Sequence, residues 1–296
     1  MPSSPSSSAQ EARRRLAAQL RDLRAEARIT GREFAQHAGW ADATTVTKIE
    51  NAQRTITPDH IRLWCRICGA SGQREAELLA EQRMVIQMWI SYRELGRRVG
   101  LNATQKMGTG DLFERLSVFR SYQTKLPHGL LQTQAFMTGV LLGVREERHV
   151  EVDDVAEAVA ERMSRQRFLR THRRFLFIVE EAVLRYSMFS HRTHREQLQH
   201  LLQVMGWPSI SFGVIPMSAD RDGYRVRESF EIMDDSRTTI ELISGFLSLT
   251  HPDEVAMYTE AWDRLAALAV HGDQARALVL SALAAFDDQD GTCQTR

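Results

Sequence analysis

The chain has 296 residues, 43% of them hydrophobic and 26% charged, a composition of folded domains rather than of low-complexity or fibrous chains. Its 38 basic and 38 acidic residues cancel, but unevenly: residues 1–120 carry 19 Lys or Arg against 13 Asp or Glu, a net of +6, and the remainder carries 19 against 25, a net of −6. No apolar run approaches the ~20 residues that span a bilayer, the start lacks the apolar core of a signal peptide and three cysteines make no disulfide framework, so a cytoplasmic protein of two domains is expected.

Met1 to Gln10 is rich in Ser and Pro and reads as a disordered lead. From Glu11 to Arg28, Leu16, Leu20 and Leu23 recur at helical spacing. Arg15, beside Arg13 and Arg14, is a candidate phosphate contact, although a solvated basic face accounts for the three equally well.

Between Gly31 and Glu50 two short amphipathic segments meet at Gly39. Phe34, Ala35, Ala38, Val46 and Ile49 fall on one side; the small Ala35 permits close approach, and Gly39 supplies the positive backbone angle of a tight turn. Asp42 is a candidate N-cap for the second segment. A helix so started, with Val46 and Ile49 inward, projects Ala43, Thr44, Thr47 and Lys48 outward, as a recognition helix does toward a major groove. These four are the expected base contacts. Thr45, and Arg54 in the loop 51–57, are the expected phosphate contacts. Thr57 and Pro58 then start a helix whose Ile61, Trp64, Cys65 and Cys68 share one face. That spacing favours buried thiols over a metal or redox pair, because only Cys293 remains to add a ligand.

From Glu11 to Leu79 the chain resembles the Xre and phage-repressor helix-turn-helix family, on the turn at Gly39, the KIEN run at 48–51 and the TPDHI helix start at 57–61. The resemblance implies a five-helix, lambda-repressor-like domain that binds operator DNA. The expected division is lead 1–10, DNA-binding domain 11–82, helical linker 83–110 with breaks at Gly100 and Gly108 to Gly110, second domain 111–286 and disordered tail 287–296.

The second domain reads as α+β. Asp111 to Tyr122 is expected as a helix, as are 151–170, 194–205, 252–270 and 274–286. Runs at 175–180, 210–215, 228–233, 238–243 and 246–249 read as strands. Helices on one side of a small, mostly antiparallel sheet complete a fold that is mainly α. The segments Pro127, GLLQT at 129–133, ERMSRQRFL from Glu161, FIVEEAVLR from Phe177, HREQLQHLL from His194 and the closing PDEVAMYTEAWDRLAALAV resemble a region found beside Xre-type domains in actinobacterial regulators, DUF5753, of the Scr1-type toxin-antitoxin-like class. In that pattern the proline runs directly into GLLQT, whereas here His128 intervenes. The resemblance implies a small DUF397-type partner protein, with this chain as the antitoxin-like member.

No phosphate loop, GxSxG or HExxH occurs. His191 and His194 read as a solvated polar face rather than metal ligands, and Glu180 and Glu181 lack a nucleophile or base in reach. No catalytic residue, metal or cofactor is expected, and no enzyme. Trp207, Phe212 and Tyr224 are candidates for a ligand cavity, with core packing the competing account. Three functions follow: a homodimeric regulator of double-stranded DNA, nucleoid-associated when bound; an antitoxin-like protein whose main role is its partner; and a small-molecule receptor or enzyme with the head as tether.

Overall fold

The computed structural model describes residues 7–92, 99–104 and 112–292, and the chain divides into two compact units, Met1–Trp89 and Ile90–Arg296. Residues 1–6 of the expected lead, 93–98 and 105–110 of the linker, Asp111, and 293–296 of the tail with Cys293 lie outside the described residues.

The first unit comprises α1 (Ser7–Glu26), α2 (Gly31–His37), α3 (Thr44–Glu50), α4 (Pro58–Cys68) and α5 (Gly72–Met88). Their apolar stripes close on Leu16, Leu20, Phe34, Ala35, Val46, Ile49, Ile61, Trp64 and Leu78. α1 reaches back to Ser7, into the stretch expected to be disordered; Ala12 is already buried in its second turn, and no Gly or Pro interrupts 7–26. Several helix ends have a local cause. Thr30 and Glu33 form a capping box on α2, and Thr57 with His60 forms another on α4, ahead of Pro58 at the first helical position. The turn after α2 has Gly39 at φ 71°, with Gly39 N–H on Gln36 O at 3.1 Å and Trp40 N–H on Ala35 O at 2.8 Å. This is a Schellman closure, and its accompanying apolar contact is Trp40 against Phe34, ring centroids 6.1 Å apart. Trp64 completes that cluster, 4.2 Å from Phe34 and 5.7 Å from Trp40.

β1 (Trp89–Ser91) spans the boundary between the units, where a helical linker is expected; Trp and Ile there favour strand. The second unit holds α6 (Leu112–Arg115), β2 (Val118–Gln123), α7 (Gln134–Glu147), α8 (Val155–Arg165), β3 (Arg174–Glu180), α9 (Glu181–Arg185), α10 (His191–Val204), β4 (Ile210–Ile215), β5 (Phe230–Met233), β6 (Arg237–Leu242), β7 (Gly245–Leu249), α11 (Pro252–Leu268), β8 (Val270–His271) and α12 (Gly272–Thr292). Its strands run in the order β7-β6-β5-β2-β3-β4-β8. The pairs β2–β3 and β3–β4 are parallel; β2–β5, β5–β6, β6–β7 and β4–β8 are antiparallel. The sheet is therefore mixed, its parallel part made by the crossovers through α7 and α8 and through α9 and α10.

Three expectations are corrected here. The helix expected over 111–122 is only the short α6, followed by β2, because Phe119 and Tyr122 each meet a hydrophobic layer on opposite faces of the sheet. Helices cover both faces rather than one. Phe119, Phe175, Phe177 and Val214 pack in one core with Leu131, Leu184, Leu198 and Val279, whereas on the other face Tyr122 meets Phe230 (ring centroids 5.6 Å), which in turn meets Tyr258 of α11 (5.0 Å). α12 runs to Thr292 instead of fraying after Phe286, with no Gly or Pro from 273 to 290.

The GLLQT segment is a 3-10 turn (Gly129–Leu131) leading into α7. Three glutamines fasten it. Gln132 donates to Pro127 O at 2.7 Å, Gln166 donates to Gln132 O at 2.7 Å, and Gln197 both donates to Leu131 O at 2.7 Å and accepts from Thr133 N–H at 2.8 Å. The intervening His128 caps the turn: its Nδ1 accepts from Leu130 N–H at 3.1 Å, which leaves the proton on Nε2, 2.8 Å from Glu231 Oε1. Burial opposes charge on Glu231, but His128 and the Thr239 hydroxyl outweigh it and hold the carboxyl below its ordinary range. Both ring nitrogens of His128 are thus engaged, and neither serves as a free base.

Candidate nucleic-acid interface

The surface built by α2, the turn and α3 begins with α3 itself. Its seven residues bury Val46, Ile49 and Glu50 and leave Thr44, Thr47 and Lys48 exposed, with Ala43 and Thr45 half-buried at its start. Asp42 sits one position too early to cap it as expected, but its Oδ1 accepts from Thr44 N–H at 2.7 Å, satisfying a free amide of the first turn. The Thr44 hydroxyl and then that N–H hold the Asp42 carboxyl below its ordinary range. The Thr47 hydroxyl donates to Ala43 O at 3.1 Å, so its methyl and acceptor lone pairs remain for a ligand.

The far end of α3 is locked to α1. Arg24 donates to both carboxylate oxygens of Glu50, at 2.6 and 2.7 Å, and to Ile29 O at 2.7 Å. The two side chains are 17% and 7% exposed, so the pair is desolvated and its bidentate geometry matters. The hydrogen bond to Glu50 raises the Arg24 pKa further.

Arg54 is brought beside this surface. Gln53 N–H and Arg54 N–H both donate to Lys48 O, at 2.8 and 3.2 Å, after Ala52 adopts a left-handed φ of 54°. The loop then descends through the buried Ile56 to the Thr57–His60 box, in which Thr57 N–H donates to His60 Nδ1 at 3.1 Å. Burial, then the nearby Arg54, depresses the His60 pKa. Arg15 is exposed on α1; among the described residues no hydrogen bond ties it to α3 or to the loop. Six of the seven expected DNA contacts therefore gather on α3 and the loop after it, and Arg15 stays on a separate helix.

Other sequence candidates resolve into packing. Cys65 is buried and Cys68 half-buried; burial raises both thiols, Cys68 to about 11, so neither is a ready thiolate. No group of residues suited to holding a metal occurs among the described residues. His194 is buried rather than solvated, its Nε2 3.0 Å from Leu184 O and its ring 4.5 Å from that of Phe286; α10 turns that face onto α12, which the local polar sequence conceals. Glu180 takes Tyr122 OH at 2.5 Å and pairs with Arg221, and Glu181 accepts from Met217 N–H at 2.8 Å, so both fasten chain segments.

Of the expected cavity residues, Phe212 lies in the core opposite Phe177, and Trp207 packs against that core beneath Arg170, 4.0 Å from the ring centroid. Neither lines a described cavity, since strand β4 turns Phe212 inward. Tyr224 does. It borders an open cavity of about 270 Å³ with Arg227, Phe230, Met257, Tyr258 and Arg264, and Tyr224 and Arg264 also line another of about 480 Å³.

A family model described as a helix-turn-helix domain matches residues 15–78. Another, described as a domain of unknown function (DUF5753), matches residues 114–281, more than half of the chain. The chain belongs to the DUF5753 family. No curated protein and no solved structure matches it. In this DUF5753 chain the family match begins at α6 and ends within α12, so it takes in all of the sheet strands from β2 to β8. No helix among the described residues is long and apolar enough to cross a membrane.

Proposed function

We propose that this DUF5753 protein is a sequence-specific, double-stranded-DNA-binding transcriptional regulator that acts as a homodimer. The observation that carries the reading is the exposed row Thr44, Thr47 and Lys48 on a helix whose opposite side, Val46 and Ile49, is wholly buried. Ala43 meets a thymine methyl; Thr47, its proton already committed, accepts from adenine N6 or cytosine N4; Lys48 donates to guanine. Thr45 and Arg54 meet phosphate, and Arg15 extends the basic face. One short helix reads only a few base pairs, so pairing of two copies on a two-fold site supports both affinity and selectivity.

Selection of duplexes from a random pool by the full chain tests this. Recovered sequences with two related half-sites support the homodimer. Lys48→Ala then weakens binding by about 1 to 3 kcal/mol and relaxes preference at one position; unchanged preference removes α3 as the reader. The site of action is the cytoplasm, at the nucleoid when DNA is bound. The chain is not an enzyme and needs no cofactor.

A second reading has the C-terminal unit, the part that the DUF5753 model matches, bind a partner. That partner is a small DUF397-type protein, and the chain is an actinobacterial Scr1-type, antitoxin-like regulator of the Xre class. Co-expression with the product of the neighbouring reading frame yields one peak in size-exclusion chromatography on this reading, and two separate peaks remove it. A receptor for a small molecule is the weaker reading, because only Tyr224 of its three expected residues borders open space.

A further inference from the structure

On α5, Leu78, Gln82 and Val85 fall at i, i+4 and i+7, and all three are buried. A polar amide in that stripe is costly unless it is bonded. Gln82, 1% exposed, donates through Nε2 to Ile56 O at 2.9 Å, and its Oε1 is buried without a partner. A leucine would continue the stripe without that orphaned oxygen. What only the amide adds is a donor for the loop, and the carbonyl it takes lies two residues after Arg54.

We infer that Gln82 is a positioning residue for DNA binding: by holding the Ile56 carbonyl it sets the height at which the loop presents Arg54 to a phosphate. The inference rests on the DNA-binding reading above and deepens it. The loop is otherwise fastened at its start, where Gln53 and Arg54 amides share Lys48 O, and at its end, by the Thr57–His60 box. Gln82 supplies the tie between them, and it does so from the helix whose last residue, Met88, precedes the boundary between the units. Six residues of α-helix, about 9 Å, separate that tie from the helix end. A displacement of α5 is therefore delivered to the phosphate-facing loop without passing through α3.

The test uses the full chain and a duplex selected by the wild type, with affinity read below the melting transition of every variant. Gln82→Met keeps the volume and removes the donor. Its affinity falls by the same factor as that of Arg54→Ala, on the order of tenfold, and the slope of log affinity against log salt drops by about 0.9 in each, the loss of one phosphate. Base preference is unchanged, and the double variant is no weaker than Arg54→Ala alone. Gln82→Glu, unable to donate when ionised and able to when protonated, recovers affinity relative to Gln82→Met as the pH is lowered; should the Met variant fail to fold, that recovery against the Glu variant's own neutral-pH value carries the decision. Full affinity and slope in Gln82→Met, multiplying losses in the double variant, or no acid recovery each overturns the inference. A wild type that selects no sequence overturns instead the reading beneath it.

Discussion

In the first unit Thr44, Thr47 and Lys48 stand on the solvent side of α3 above a sealed apolar layer, whereas in the second unit the polar residues of the recognisable segments are turned inward onto backbone. Gln132 of GLLQT, Gln166 of ERMSRQRFL and Gln197 of HREQLQHLL come from three separate stretches and converge on one turn. Glu180 and Glu181 of FIVEEAVLR likewise hold the segments at Tyr122, Arg221 and Met217. A motif on a surface helix advertises a ligand, and a motif that satisfies buried N–H and C=O groups advertises only a fold. The second unit is thus readily assigned to a family by residues that say little about what it binds.

That contrast can be broken at several points. The largest effect is expected at the seam where outward helix meets inward support: Arg24→Ala leaves the Glu50 carboxylate buried and unpaired, and should destabilise the first unit by about 3 kcal/mol. Chemical denaturation reads it, and a loss below 1 kcal/mol would mean that the pair is solvated. In the second unit Gln197→Leu strips partners from both Thr133 N–H and Leu131 O, for a loss of about 2 kcal/mol, while the selected DNA sequence stays the same. A changed sequence preference in that variant would show that the glutamine turn is not purely architectural.

The smallest effect is the pH dependence of the α4 cap. Burial depresses the His60 pKa, so the unfolded chain binds the proton more readily than the folded one. Stability from this residue is complete above the ordinary histidine range, near 6.5, and is lost as the pH falls from there through the depressed value. Thermal melts of the full chain between pH 7.5 and 5.5 should fall less steeply for His60→Gln. The buried His194 and the half-buried His200 shift in the same direction and remain in both proteins, so the difference between the two isolates His60. Equal slopes would show that the Thr57 amide does not need the neutral ring.

The first unit was legible because its signals are local. A helix start such as Thr57-Pro58, a turn glycine with an aromatic beyond it, and apolar residues at i, i+3 and i+4 each specify their own few residues. Gln82 is a local signal of the same kind, a polar residue in an apolar stripe. The second unit depends on partners far away in sequence. Val118 to Gln123 carries residues that suit helix or strand, and it is a strand because β3 and β5 flank it, at a separation that no local window senses. The parallel pairing of β2, β3 and β4 is hidden for the same reason, and so is the difference between Tyr224, which borders open space, and Phe212, which faces the core.

The choice of a glutamine from α10 to fasten the turn before α7 bears on chemical ageing. Gln197 uses its amide at both ends, and conversion of that amide to an acid by slow hydrolysis would set a carboxylate against the Leu131 carbonyl in a place that water does not reach. The same seclusion that makes such damage harmful also withholds the water needed to inflict it, so the joint that organises the second unit is guarded by its own interior.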